Sequence, residues 1–486
     1  AAPVVTNIRL PNARISTTPA LLLEPSCDPA ATPLTTTIPG LQGTGAVAAL
    51  SGVQTVDGVI VADFQATGTL PTERKLGGFY LQDREGDGEA ASSDAVFVFE
   101  GAGVPTKRNV GDFVRVTGTV AEFNGGTQLT APTVIACGTR ELPAPVVVTL
   151  PITTQADLER FEGMRVTVPQ TLTVTETFAL GRYGLLSLSS GGRVFQPTNI
   201  TAPGSSANAQ QALNNARRIL LDDGLTLQNP SPLPFLDGNA TPTNLSDDFR
   251  RIGDTVTGFT GVLAQSCASA ACGTGVDVVA YRLLPSQSIP WTNANPRSET
   301  PDSVASSSTP SPLRVASTNV LNYFTTLNAG GATFTPSGGG CTNTQTPRGA
   351  NSSAEFARQR GKIIAGLVAL NADVVGLIEI QNNGSGAGSA VQDLVDGLNA
   401  VLGANTYATV SDAGIQVGCD AIKVAFIYKP ARVSLKGPAI SDSNAVFSRP
   451  PVAQAFGFNG GTFTLVMNHF KSKGGCPTGG GADSDL

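Results

Sequence analysis

The sequence predicts a multidomain chain in which all-β modules precede an α/β layered domain. Three observations carry this reading. Gly (55) and Pro (33) are abundant while only 14% of residues are charged, a turn-rich composition that suits many short strands. Up to about residue 290 the apolar residues alternate in short runs parted by Gly-rich turns. After a Ser/Pro-rich stretch, apolar runs of strand length alternate with amphipathic helices. At 486 residues the chain exceeds what one core serves, and its 41% hydrophobic content fills several.

Residues 1–34 read as an irregular lead-in. Residues 35–144 hold "QTVDGVIVADFQ", "GGFYLQD", "AVFVFEG", "DFVRVTGTVAEF" and "TQLTAPTVIAC". Five short alternating runs with Gly-rich turns predict a small closed barrel of the OB type. Residues 145–297 form a second β-rich unit, with strands expected at "MRVTVPQTLTVTETF", "YGLLSLS", "RVFQPTN" and "DTVTGFTGVLAQ". One helical insert is expected around "SANAQQALNNARRILL". Residues 298–312, "SETPDSVASSSTPSP", are a polar linker.

From Leu313 to Leu486 the pattern changes. "LRVASTNVLNYF" is a buried strand ending in polar residues. In "SSAEFARQRGKIIAGLVAL", Ser352 and Glu355 form a capping box, and Phe356, Ile363, Leu367 and Leu370 recur at helical spacing. "DVVGLIEI" is a continuous apolar run, hence a strand covered on both faces. A second helix, "SAVQDLVDGLNAVLG", follows, then strands "KVAFIYK" and "FTLVMN".

The net charge of −6 argues against a generally cationic nucleic-acid binder. The charge is uneven, however. From Leu313 onward twelve basic residues face ten acidic ones, while the first 312 residues are strongly acidic, so a polyanion meets the C-terminal part first. No apolar run reaches the roughly 18 residues of a membrane span. The opening "AAPVV" is like a mature end left by cleavage at small residues, which predicts a secreted protein. Seven widely spaced cysteines without a CxxC pair disfavour zinc and suit three disulfides with one thiol over. Cys267 and Cys272 are placed to close a small loop, and Cys476 is the candidate odd residue.

Three polar residues, Asn319, Glu379 and His469, stand at the C-terminal ends of three predicted buried strands. A carboxylate there is costly unless it meets a cation or a donor. His469 is the single histidine of the chain. Alone it reads equally well as a satisfied structural imidazole. Together, on strands that can sit side by side, the three read as a site.

The segments "VASTNVLNYF", "RQRGKIIAGLVALNADVVGLIEIQNNG", "DAIKVAFIYKP" and "LVMNHFKSKG" resemble the DNase I-like endonuclease/exonuclease/phosphatase superfamily, in its secreted bacterial nuclease branch. "GFYLQDREGDGEAASSDAVFVF" and "VGDFVRVTGTVAEFNGGTQL" resemble the OB-like accessory domain of that branch. The resemblance implies a two-sheet α/β sandwich with its site at one edge. It implies that Asn319 and Glu379 help to hold Mg²⁺ or Mn²⁺, hard cations that prefer oxygen and keep several waters. It implies that His469 is a general acid or base, oriented by an acidic residue at the place of Asp412. Arg449, before proline in "SRPP", and Lys471 are implied contacts for substrate phosphate, a solvated surface lysine being the alternative for Lys471 and Lys473. The family also carries a later Asp-x-Asn pair and an Asp-His pair. No second histidine is present, so the resemblance implies a C-terminally incomplete domain, about the first two-thirds of the family's.

In "DREGDGEAASSD", Asp83, Glu85 and Asp87 alternate and Asp94 stands at the twelfth position, much as in a Ca²⁺ loop. The last ligand is Asp rather than Glu and strands flank the segment, which favours a solvated hairpin tip. The function expected is a secreted, metal-dependent nuclease acting on DNA or RNA. The alternatives are another phosphoesterase of the superfamily, for phospholipid or inositol phosphate, and a non-catalytic β-module protein of a surface or matrix.

Overall fold

The computed structural model describes residues 27, 32–65, 76–101, 106–230, 233–235, 250–269, 272–273, 277–295 and 312–470. Most of the lead-in and linker, with Lys471, Lys473 and Cys476, lie outside the described residues. The chain divides into two units, Ala1–Arg297 and Ser298–Leu486. Among the described residues no helix is long and apolar enough to cross a membrane.

In the first unit, β1 (Val53–Phe64), β2 (Gly78–Gln82), β3 (Ala95–Phe99), β4 (Asp112–Phe123) and β5 (Gly126–Thr139) close into a barrel in the order β1-β2-β3-β5-β4. Only the β3–β5 pair is parallel. Alternate residues turn inward, so Val56, Ile60, Phe79, Leu81, Val96, Val98, Val114 and Val116 fill the interior. The short helix α1 (Ile38–Gln42) plugs it with Ile38 and Leu41. Each fully buried Val, Leu or Phe contributes about 1.5–3 kcal/mol.

The second sheet contains β6 (Val146–Val147), β7 (Arg165–Glu176), β8 (Leu185–Ser190), β9 (Arg218–Asp222), β10 (Thr255–Ser266), β11 (Ala280–Pro285) and β12 (Trp291–Thr292). Its order is β12-β10-β11-β9-β8-β7-β6, and β10 also pairs with β7. That pairing closes β7-β8-β9-β11-β10 into a ring with the strand order of the first barrel. Again a single pair within the ring, β9–β11, is parallel. Each fourth strand is entered through a Gly-Asp step with glycine at positive φ: Gly111-Asp112, whose Asp is the first residue of β4, and Gly253-Asp254, just before β10. The second β-rich unit is thus a second barrel of the same topology. Two expectations are corrected here. The helical insert, α3 (Ser205–Arg217), stops before "RILL", because Ile219 and Leu221 bury on alternate positions and continue the sheet as β9. "RVFQPTN" is not a strand: Pro197 opens a 3-10 turn, Pro197–Asn199. A four-residue helix, α2 (Leu180–Tyr183), precedes β8.

The second unit has two sheets. The first contains β13 (Val315–Tyr323), β14 (Val374–Gln381), β15 (Ala408–Thr409) and β16 (Ile422–Tyr428), in the order β13-β14-β16-β15 with β13 and β14 parallel. Helices α4 (Ser353–Leu370) and α5 (Ala390–Leu402) cover one face, where Ile364, Leu367, Leu394 and Leu398 meet Val375, Leu377, Ala425 and Ile427. The second sheet contains β17 (Ser434–Leu435), β18 (Ile440–Ser441), β19 (Val452–Phe458) and β20 (Gly461–Met467), arranged around β19. It packs on the opposite face, where Val374, Val424 and Phe426 meet Val452, Phe456 and Met467. Successive residues of β14 and β16 therefore bury on opposite faces, which explains the continuous apolar run of β14. At the start of α4, Glu355 N–H donates to Ser352 Oγ (3.2 Å), while the Glu355 carboxylate accepts from Asn351 N–H rather than from Ser352. Leu370 is 38% exposed and belongs to neither core.

Candidate functional site

Two irregularities in adjacent strands build the site. The β13–β14 register breaks between Asn319 and Tyr323, and the β14–β16 register breaks between Leu377 and Ile380. Asn319 is aligned with Ile378, so the breaks sit side by side. They leave Leu321, Asn322 and Glu379 at φ of 51°, 50° and 65°. Side chains in this left-handed region cost about 1–2 kcal/mol each, and such strain gathers where a side chain must be re-aimed. Asn319 is exposed, and its Oδ1 accepts the Leu321 N–H at 2.7 Å, leaving one lone pair free. The Glu379 side chain is about one-fifth exposed.

His469 arrives from the facing sheet. It follows β20, which pairs with β19 and not with β13 or β14. Asn319 and Glu379 thus stand on adjacent strands of one sheet, and His469 follows a strand of the other. Gly376 of β14 permits the approach, since a Cβ there would lie 2.2 Å from Met467 Sδ. Two residues past that contact, His469 Nε2 stands 3.8 Å from Glu379 Oε1. Its Nδ1 is buried with no hydrogen-bond partner. Burial, then the Arg449 charge, hold the imidazole below its ordinary pKa, against the opposing pull of Glu379 and Asp420.

Asp420 organises the cationic side of the site. Arg449 Nε donates to Asp420 Oδ2 at 2.8 Å, and Arg348 Nη2 lies 2.9 Å from Oδ1. The disulfide Cys341–Cys419 ties the segment before Asp420 to the loop that leads to Arg348. Sequence reasoning found Arg449 but missed Asp420 and Arg348. The disulfide pairing that gathers them joins positions 78 residues apart and leaves no local signal.

Asp412 is held elsewhere. Its carboxylate accepts from Lys423 Nζ and from Ser385 Oγ (2.6 Å), and Lys423 also donates to Gly384 O at 3.0 Å. Burial pushes the Asp412 carboxyl up, but the Lys423 ammonium and its hydrogen bonds outweigh this and leave it below the usual range. Lys423 is 1% exposed, so the pair works as a buried strut. The acidic residue whose charge reaches His469, besides Glu379, is Asp420. Lys471 lies outside the described residues.

The β2–β3 connection is a turn network. Asp83 Oδ1 accepts from Glu85 N–H (3.0 Å) and Gly86 N–H (3.2 Å), and Asp87 Oδ1 accepts from Glu89 N–H (2.8 Å). Glu85 points into solvent. Burial, then the charges of Asp87 and Asp83, raise the Asp94 pKa. The hydrogen bonds of Asp83 and Asp87 are those of a hairpin tip. Among the described residues no three His, Cys, Asp or Glu side chains gather as a metal cage.

Asn319 and Glu379 offer one amide oxygen and one carboxylate at adjacent strand ends. That donor set suits a hard cation that keeps most of its waters. No family model matches the chain. No curated protein matches it.

Proposed function

We propose that the second unit is a metal-dependent phosphodiesterase of the DNase I-like kind, a secreted nuclease hydrolysing DNA, with RNA as the alternative polymer. The observation that carries this reading is the convergence of Glu379 and His469 from two facing sheets, beside Asn319 and the Arg348–Asp420–Arg449 cluster. Two facing sheets with helices outside one of them also suit the α/β sandwich implied by the sequence resemblance. Three disulfides suit an oxidising compartment.

Asn319 and Glu379 would hold Mg²⁺ or Mn²⁺, which when bound polarises a phosphoryl oxygen. Arg449 and Arg348 orient a phosphate by charge-assisted hydrogen bonds, with Asp420 fixing their forks. His469 moves the proton at Nε2. Its depressed pKa makes it a proton acceptor in the resting site. A bound phosphate adds negative charge and raises that pKa, which equips the imidazolium to protonate the leaving oxygen. The pH profile separates the roles. An acceptor loses rate on acidification, a donor on alkalinisation.

The test is nicking of supercoiled plasmid by the full chain with Mg²⁺ or Mn²⁺ and with EDTA. Nicking is expected with metal and not with chelator. His469→Ala and Glu379→Gln are each expected to cut it at least about 100-fold. Folded wild-type protein that binds no divalent metal and leaves DNA and RNA intact would sink the proposal. Hydrolysis of phospholipid or inositol phosphate with plasmid untouched would move it to another phosphoesterase class.

A further inference from the structure

Asn382 follows β14 directly, three residues past Glu379, and is fully buried. Its N–H donates to Ala421 O at 2.9 Å, and its carbonyl accepts the Ser337 N–H at 3.0 Å. The side chain uses both ends of its amide. Nδ2 donates to Gly418 O at 2.8 Å and to Asp420 O at 3.0 Å, while Oδ1 accepts the Ser337 hydroxyl at 3.1 Å. One residue thereby joins the strand that carries Glu379, the loop at Ser337 and the stretch 418–421.

The two outer segments are also locked to each other. The Cys341–Cys419 disulfide links them, and a Cβ at Gly338 would lie 1.9 Å from Gly418 O. Asp420 comes next after Cys419, and its carboxylate holds Arg449 and Arg348. The disulfide fastens this clamp to its own loop. The amide of Asn382 fastens it to β14. The neighbouring side chain turns the other way: Gln381 Oε1 accepts the Thr325 N–H at 2.9 Å and the Thr326 N–H at 3.2 Å, on the segment that follows β13. The strand end beside Glu379 is therefore gripped from both sides, and Asn382 supplies the grip toward the cations. The position calls for an amide, since two carbonyls take donors and the Ser337 hydroxyl takes an acceptor within reach of a single Cγ. An aspartate there would set a carboxylate oxygen against two carbonyls.

We propose that Asn382 is a positioning residue: it holds the Arg348–Asp420–Arg449 clamp at a fixed distance from Glu379, so that one phosphate meets the clamp and the metal ligand together. The inference rests on the phosphodiesterase reading. Asn382 touches no substrate and acts through the main chain of Asp420. Phosphoryl transfer leaves the protein little covalent work, so its rate depends on where the charges stand, and a misplacement of about 1 Å costs on the order of 100-fold.

The test is a double-mutant cycle on kcat/KM for a labelled oligonucleotide, with Mg²⁺ or Mn²⁺. Asn382→Ser and Arg449→Gln are each expected to lower kcat/KM at least about tenfold. The double variant is expected to fall no more than about twofold below the less active single, because a displaced clamp has little left to lose. Tyr407→Phe is the structural control, since it removes another buried hydrogen bond, to Ala372 O. It is expected to lower the melting temperature but keep kcat/KM within about twofold, and to combine additively with Arg449→Gln. Should Asn382→Ser fail to fold, Ser337→Ala is the milder variant, and the same non-additivity is expected of it. The ring of His469 reads the geometry without turnover, because Arg449 and Asp420 are among the charges that act on it. In metal-free protein, Asn382→Ser is expected to move the ring resonances in the direction that Arg449→Gln moves them, and Tyr407→Phe to leave them in place. Wild-type protein that cleaves no phosphodiester would overturn the functional reading, and the ring resonances would then decide whether Asn382 places the clamp. Additive losses in the cycle, or unmoved ring resonances, overturn the proposal.

Discussion

Because His469 is the single histidine in 486 residues, its ring gives one imidazole resonance without assignment work. Its titration by NMR is expected to show a pKa below the ordinary 6.5. Arg449→Gln is expected to raise that value by removing a neighbouring cation, and Glu379→Gln to lower it by removing the opposing carboxylate. The stability consequence has a definite sign. A depressed imidazole pKa means that the unfolded chain binds the proton more readily. Stability is therefore full above about pH 6.5 and falls as pH drops through the window just below it. A shift in the opposite direction would place the ring outside the field of Arg449. Asn319, Glu379 and His469 were legible in the sequence because polar residues ending apolar strands break a local pattern. Asp420 was not, since its role depends on Arg348 and Arg449 arriving through separate loops. Asp412 was noticed as an acid, but its partner Lys423 sits on β16 and no local spacing links them.

At the level of elements, β14 does two jobs. Its alternate residues bind both the helix layer and the second sheet, and at Gly376 it lets β20 come close enough for His469 to meet Glu379. Gly376→Ala tests this directly. The added methyl would collide with Met467 Sδ, so β20 must shift or Met467 must change rotamer. The expected cost is about 1–3 kcal/mol in a denaturant titration. A phosphodiesterase activity would fall by more than that destabilisation alone explains. The companion change Met467→Ala is expected to restore part of the stability of Gly376→Ala but not the position of His469. An unchanged activity would mean that the β14–β20 approach does not set the site. The strands of the first barrel were readable because period-two alternation and Gly-rich turns coincide there. The end of α3 was not, because "ARRILL" satisfies both periods until Ile219 and Leu221 find neighbours in the sheet.

On the scale of the whole molecule, three disulfides divide the stabilising work unequally. Cys267–Cys272 spans 5 positions, whereas Cys341–Cys419 spans 78. Chain entropy alone assigns about 2 kcal/mol to the first and about 4.5 kcal/mol to the second. Replacing both cysteines of the long link by serine is expected to lower the melting temperature of its unit by about 10 °C or more in scanning calorimetry, with little effect from the short link. Comparable shifts from both would show that native-state contacts, not chain entropy, set their worth. The pairing could not be read from spacing beyond the short loop, because the other partners meet only after the barrel and the sheets have formed. The two barrels carry a further consequence. Strands of like topology in tandem can exchange during folding, the third strand of one module seeking the fifth of the other. The fifth strands differ in length, 14 residues against 6, and Cys27–Cys137 fastens the longer one to the chain that precedes its own barrel. Once closed, that link confines the strand to the neighbourhood of residue 27, and a tethered strand meets its own barrel at a higher effective concentration than the neighbouring one.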